Sequence, residues 1–580
     1  MPYKFIKYIT VFMLPALFFH AALADVNTTE EAMREIKRRQ DIVEQGLREK
    51  QKAGTEKKDE LEGTNAEKKP AVVDTTKFIL KEIIIENNKH LSWFEKRDLV
   101  NDLLNREITF NDITLLVRKL TNLLIDKGYS TARVKIPVGQ NINSGKFTIS
   151  IVNGYIEEVE FEKKGLRSSI QIFTAFPFCS GRYLNVHELE YALEQVNRLG
   201  NGNAAMKIIP GNKDGMSKIL IANRPELSVS FEPGADNLGQ KATGEVRAKL
   251  FTEIDNLFSI NDSISFDYAG TPNPDNNKKH SRVYTFYFSF PFGFWNFSAA
   301  YSRSEYMQIV NGLSASFKSS GNDSSETFFA ERLIFMKGYH RIKAKANLTL
   351  KQKESYIEDA KISSASRNLS VFKGGFDYSG FLFGGYLSVG VFYHAGLKWF
   401  NAYRDESKDS DVPKAQFGKY EANLLWSRQF ALFGKRFSYT FNAFGQYGED
   451  TLFNSEKISI GGLNTVRGFK DSSVLGDNGF YARNDLAMHD FAFIWSALQG
   501  LRLFIGCDYG LVREKNRGPQ SRAALLGCAA GFSYVSPVIR GSLTYSRRLS
   551  CPEFVSEKEQ AVYFSVSLPL SDTYRMIRGM

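Results

Sequence analysis

The sequence predicts two tandem α+β repeats followed by an antiparallel β-barrel of about 16 strands that crosses a membrane. Three observations carry that prediction. From about Leu227 onward helical periodicity disappears, and runs of about ten residues alternate apolar and polar. Residues 78–223 carry the order β-α-α-β-β twice. Aromatic residues make up 13% of the chain, with 47 Phe and 26 Tyr, yet no stretch offers the roughly 18 uninterrupted apolar residues of a spanning helix.

The first segment, MPYKFIKYITVFMLPALFFHAALA (1–24), places Lys4 and Lys7 before an apolar core and ends on Ala22 and Ala24. That pattern predicts a cleaved secretory signal, so the mature chain leaves the cytosol. Residues 25–50 predict a helix whose narrow apolar seam is Met33, Ile36, Val43 and Leu47, with a densely charged opposite face. Such a helix suits a polar cavity or a loose docking site. Residues 51–76 are charged, lack aromatics and lack periodicity, which predicts a linker unable to bury enough surface to fold.

The first repeat, 77–153, reads as strand FILKEIIIENN, helices WFEKRDLVNDLLNR and FNDITLLVRKLTNLLIDKGY, then strands STARVKIPVG and GKFTISIVNG. Gly128 stands where a helix-terminating glycine is expected. The second repeat, 154–224, runs GYIEEVEFEKK, SSIQIFTAFPF, NVHELEYALEQVNRL, AAMKIIPG and SKILIANRP in the same order.

Residues 225–580 are assigned to the barrel. In VYTFYFSF, Tyr284, Phe286, Phe288 and Phe290 share one face and Thr285, Tyr287 and Ser289 the other. LRLFIGCDYGL puts Leu501, Leu503, Ile505, Cys507, Tyr509 and Leu511 on one side, and Arg502, Phe504, Gly506, Asp508 and Gly510 on the other. AVYFSVSLPL repeats the rule with Val562, Phe564, Val566 and Leu568. Lipid cannot satisfy an open sheet edge, so strands that meet it must close. At about 22 residues per strand and connection, the segment holds about 16.

Several function classes are disfavoured. Cys179, Cys507, Cys528 and Cys551 are too few and too scattered for a disulfide framework or a zinc site. Cys507 and Cys528 can lie on neighbouring strands and pair, but we expect two isolated cysteines on an apolar face. The net charge of +11 comes without a nucleic-acid motif and reads as a solvated surface. Phosphate loops, nucleophile elbows and His clusters are absent from the sequence, so no enzyme, metal or cofactor is expected.

Six stretches resemble one family. GYSTARVKIPVGQNINSGKFTISIVNGYIEEV (128–159), LNVHELEYALEQVNRL (184–199) with PGNKDGMSK (210–218), DNLGQKATGEVR (236–247) with DNLFSINDSISFDY (255–268), and above all EKISIGGLNTVRGF (456–469) are similar to the transporters of two-partner secretion, the TpsB family that exports haemolysins and filamentous adhesins. The resemblance implies that the repeats are periplasmic POTRA domains, that residues 25–50 form a plug helix, and that 448–478 is a loop folded into the barrel after the eleventh strand. It assigns Val466, Arg467, Gly468 and Phe469 to the loop motif, and Gly506, Asp508 and Gly510 to a partner motif on a later strand, with Arg467 meeting Asp508 across the lumen. The implied partners are a large exoprotein with an N-terminal secretion domain, outer-membrane lipid, and the barrel assembly machinery. For client contact we single out Ile208, Ile219 and Ile221, with Leu189 and Leu193 on the preceding helix. The alternatives are an insertase of other barrels, whose relatives usually carry more POTRA domains, and a passive porin or receptor. One departure is the ending SDTYRMIRGM after a last strand near Leu570, where such barrels usually finish on an aromatic residue; Phe564 is an internal candidate for the assembly signal.

Overall fold

A computed structural model describes residues 77–570 except 178, 201, 273–278, 312–314, 408, 490, 493, 516–520 and 556–559. The predicted signal, the helical seam of Met33, Ile36, Val43 and Leu47, the linker and the final ten residues lie outside the described residues.

In the first repeat, helix α1 (Trp93–Val100) opens on a capping box, Ser92 with Glu95, and α2 (Phe110–Asp126) on another, Thr109 with Asp112. Ile113, Leu116, Leu120 and Leu124 recur at helical spacing on α2 and are buried against Phe147, Ile149 and Ile151 of strand Lys146–Val152. That strand is central, parallel to Glu82–Glu86 and antiparallel to Arg133–Lys135. The strand predicted over 130–139 shrinks to three residues because Pro137 supplies no ladder N–H and Gly139 turns at φ +82°.

The second repeat packs α3 (Leu166–Ala175) and α4 (Val186–Asn197) on strands Tyr155–Phe161, Met216–Ala222 and Ala205–Pro210, in that order across the sheet. The two repeats meet end to end. The last carbonyls of α2 are capped by the start of α4: Val186 N–H donates to Gly128 O (2.8 Å), Asn185 Nδ2 to Lys127 O (2.9 Å), and His187 Nε2 lies 3.2 Å from Asp126 O. Gly128 has φ +90°, and a Cβ there would lie 2.4 Å from Asn185 Oδ1, so the junction demands glycine.

Sixteen antiparallel strands, from Ser228–Asp236 to Gln560–Ser567, close a barrel. Alternation is visible throughout: Val283, Thr285, Tyr287 and Ser289 are buried inside, whereas Val562, Phe564, Val566 and Leu568 stand exposed on the outside. Most barrel strands exceed the expected length of about ten, three of them by the most. Trp295–Asn311, Ser316–Lys337 and His340–Ile357 run 17, 22 and 18 residues, far beyond what a bilayer crossing needs. Closure is made by three residue pairs, Ser565 with Asp236, Val566 with Ala235 and Ser567 with Gly234.

The cysteine expectation is corrected. Cys507 and Cys528 are directly opposed on strands Leu501–Arg513 and Arg522–Val535 and form a disulfide. Sequence periodicity gave the face of each side chain but not the register that brings the two together.

The second repeat is fixed to the barrel's periplasmic turns. Arg198, just past α4, donates to Asn261 O (2.8 Å) and Ser289 O (2.9 Å). Asn261 Nδ2 donates to Gln171 O (2.8 Å) and Thr174 Oγ1 (2.9 Å) on α3, Glu194 pairs with Arg341, and Tyr191 stacks on Phe294.

Candidate functional site

The eleventh barrel strand, Lys435–Gly448, is followed by a segment that does not stay outside. It forms a small hairpin, Ile458–Ile460 with Val474–Gly476, whose tip bears the VRGF motif against the inner wall. Val466 and Phe469 bury their side chains among Ile458, Ile460, Val512, Ala523, Leu525 and Val555. Full burial of side chains of this size is worth about 1.5–3 kcal/mol each. Between them Gly468, at φ +105°, lets the backbone pass Arg548, whose N would lie 2.7 Å from a Cβ.

Arg467 is 1% exposed and Asp508 0%. Arg467 Nε donates to Asp508 Oδ2 (2.6 Å) and Nη2 to Oδ1 (2.7 Å), the fork geometry in which guanidinium and carboxylate match best. The Arg467 backbone N–H donates to the same carboxylate (3.0 Å). Sequence reasoning missed two further members. Asp485, on strand Asn478–His489, lies 2.7 Å from Arg467 Nη1, and Arg483 lies 3.7 Å from Asp485 and 4.0 Å from Asp508. Two cations thus face two carboxylates, Arg467 from the hairpin tip and Arg483, Asp485 and Asp508 from two adjacent strands of the wall. Alternation would have shown Arg483 and Asp485 on the lumen face with Asp508; only strand pairing, Arg483 opposite Asp508, shows them adjacent.

The wall is shaped to receive the tip. A Cβ at Gly506 would meet Arg467 Nη2 at 2.6 Å, and one at Gly510 would meet Val466 Cγ2 at 2.8 Å. Gly527, on the next strand, was not anticipated, and a Cβ there would sit 1.8 Å from Arg467 O. The base of the segment is pinned separately. Glu456 pairs with Lys351 (2.6 Å) and Lys419 (3.2 Å), and its carbonyl accepts from Gln446 Nε2 (3.0 Å). Asp477 accepts the backbone N–H groups of Leu452 (2.7 Å) and Lys515 (2.8 Å). Glu456 lies within the quoted motif stretch, but nothing in its local pattern sets it apart from a solvated charge.

The client-contact candidates divide. Leu189, Ile219 and Ile221 are corrected to core positions of the second repeat, at 2%, 0% and 0% exposure, so their side chains are unavailable to a partner. Leu193 packs partly buried against that core. Their apolar period is the inward face of α4 and of a central strand, which sequence cannot tell from a binding stripe. Ile208 is 38% exposed on the sheet edge Ala205–Pro210, with Ile209 beside it.

With this geometry in view, similarity to known proteins is informative. Residues 215–534 match the description "Haemolysin secretion/activation protein ShlB/FhaC/HecB", residues 78–154 "POTRA domain, ShlB-type", and residues 155–210 "POTRA domain". The chain is 31% identical over 425 residues to the hemolysin transporter protein ShlB of Serratia marcescens, covering 72% of this chain and 73% of that one. It is 26% identical over 492 residues to the outer membrane transporter CdiB of Escherichia coli, covering 85% and 82%. The solved structure of CdiB from Escherichia coli superposes with a TM-score of 0.79 at 25% identity, covering 91% of this chain and 98% of that one. CdiB from Acinetobacter baumannii shares the fold, with a TM-score of 0.73 at 21% identity over 90% and 98%. The chain therefore belongs to the ShlB/FhaC/HecB haemolysin secretion/activation family of outer-membrane transporters, with its POTRA domains in the periplasm.

Proposed function

We propose that this transporter exports a large secreted exoprotein, engaged through an N-terminal secretion domain, and that the Arg467 clasp holds the barrel in its transport-competent arrangement. The observation that carries the reading is the inward hairpin, whose buried charges are balanced within the lumen instead of exposed at a loop tip. The client is first captured as an extended segment on the POTRA edge strand Ala205–Pro210, where backbone addition needs no deep pocket. The second POTRA domain, bolted to the barrel by Arg198 and Asn261, delivers that segment to the pore mouth. From the sequence alone we infer a plug role for residues 25–50, tethered by the charged linker 51–76. The role is transport without catalysis. The periplasm offers no nucleotide, so folding of the client outside supplies direction.

The test is secretion of a candidate large exoprotein by cells with and without this chain. Export should require the chain and fall when Ile208 and Ile209 are both changed to Asp. Equal secretion in cells lacking the chain overturns the reading.

A further inference from the structure

The disulfide sits on an unusual side of the wall. Cys507 projects outward with Ile505 and Tyr509, and Cys528 with Leu526 and Ala530, so the bond faces the surface that meets lipid. The two strands are consecutive, joined by residues 514–521, and the cysteines are 21 residues apart. On the other side of the same strands, the next pair in register is Asp508 opposite Gly527. These are the residues that receive the Arg467 side chain and the Arg467 carbonyl.

Thiol–disulfide exchange runs through a thiolate. A thiol in hydrocarbon is held in its neutral form, because the medium penalises charge, and no soluble oxidoreductase reaches it there. Oxidation of this pair is therefore confined to the time before its strands enter the bilayer. The pairing also matters for side-chain direction. A slip of one residue along the ladder would turn one strand's inward set toward lipid, Asp508 among them.

We propose that the Cys507–Cys528 bond is made in the periplasm, before strands Leu501–Arg513 and Arg522–Val535 insert, and that it presets the register that turns Asp508 into the lumen. The co-reactant is a periplasmic dithiol oxidase in its disulfide form. The thiolate of one cysteine attacks the oxidase disulfide, forms a mixed disulfide and releases an oxidase thiolate. The second cysteine, as thiolate, attacks the mixed disulfide, closes the Cys507–Cys528 bond and expels the second oxidase thiolate. Two electrons pass to the oxidase, the two protons lost by the cysteines complete its dithiol, and the hairpin enters the membrane already paired. The timing does not depend on what the transporter exports.

The experiment follows newly made full-length chain in cells with and without the oxidase, scoring barrel folding by resistance to unheated detergent. Thiols are counted by a maleimide mass tag after denaturation; the chain has four cysteines. In oxidase-containing cells the disulfide should precede folding, so folded chain carries two tags from its first appearance. In oxidase-free cells any folded chain should carry four tags, and still four after a membrane-impermeant oxidant is added. Folded chain that starts with four tags and then converts to two overturns the proposal, as does four tags on mature chain from oxidase-containing cells. A Cys507→Ser, Cys528→Ser chain should reach the folded form several-fold more slowly; an unchanged rate overturns the register half of the proposal.

Discussion

Arg467 shows how much of a site one residue can organise. Its guanidinium bridges Asp508 and Asp485, and its carbonyl and guanidinium fit only because Gly527 and Gly506, respectively, lack a Cβ. Removing one partner of such a buried pair costs about 3–5 kcal/mol, because the other charge is left without compensation. We expect Arg467→Ala and Asp508→Ala each to abolish most export and to expose residues 451–477 to protease. Asp485→Asn should cost less, since the Asp508 fork survives. A double-mutant cycle on Arg467 and Asp508, read as protease protection of that segment, should give strongly non-additive losses; additive losses would show that the contact is incidental. The VRGF tetrapeptide and the inward Asp508 were legible in sequence. Asp485, Glu456 and Gly527 were not, because their roles depend on which strand lies beside which.

Among the elements, the α2–α4 junction is the most demanding. Three carbonyls at the end of α2 are capped by a different domain, which ties the two POTRA domains together at this joint. His187 lies in that joint. The Glu190 carboxylate raises its imidazole above the ordinary value of 6.5, and the Asp126 carbonyl adds to the effect. A raised pKa in the folded state means the contribution is complete below about pH 6.5 and lost as pH rises through the raised value. Hydrogen exchange at residues 124–128 should therefore quicken from pH 6 to pH 8 beyond the intrinsic base-catalysed increase. His187→Gln should remove that excess. If the excess persists in the variant, the imidazole is not its source. Helix existence and order were readable from apolar spacing; that one helix would cap another across a domain boundary was not, since capping partners 58 or more residues apart leave no local pattern.

At the scale of the molecule, direct contacts tie the second POTRA domain and the inward hairpin to the barrel. Arg198 connects the end of α4 to the barrel turn at Asn261 and to the barrel strand at Ser289, and Glu456 and Arg467 connect the hairpin to different strands of the wall. Arg198→Ala should broaden the distance distribution between spin labels placed on α4 and on the Gly338–Tyr339 turn, leaving the barrel itself folded. An unchanged, narrow distribution would place the rigidity in the aromatic contacts instead, chiefly Tyr191 with Phe294.

The alternation of side chains by itself determined that the chain forms two α+β repeats and a closed lipid-facing barrel. A period of 2 or 3.6 is a local property that each residue carries, and lipid permits few ways to satisfy a strand. Only the tertiary structure decided that Leu189, Ile219 and Ile221 are core, that Cys507 and Cys528 bond, and that Asp485 joins Arg467 and Asp508. Those outcomes depend on register and strand neighbourhood, which link residues far apart in the chain and leave no trace in any one segment's pattern.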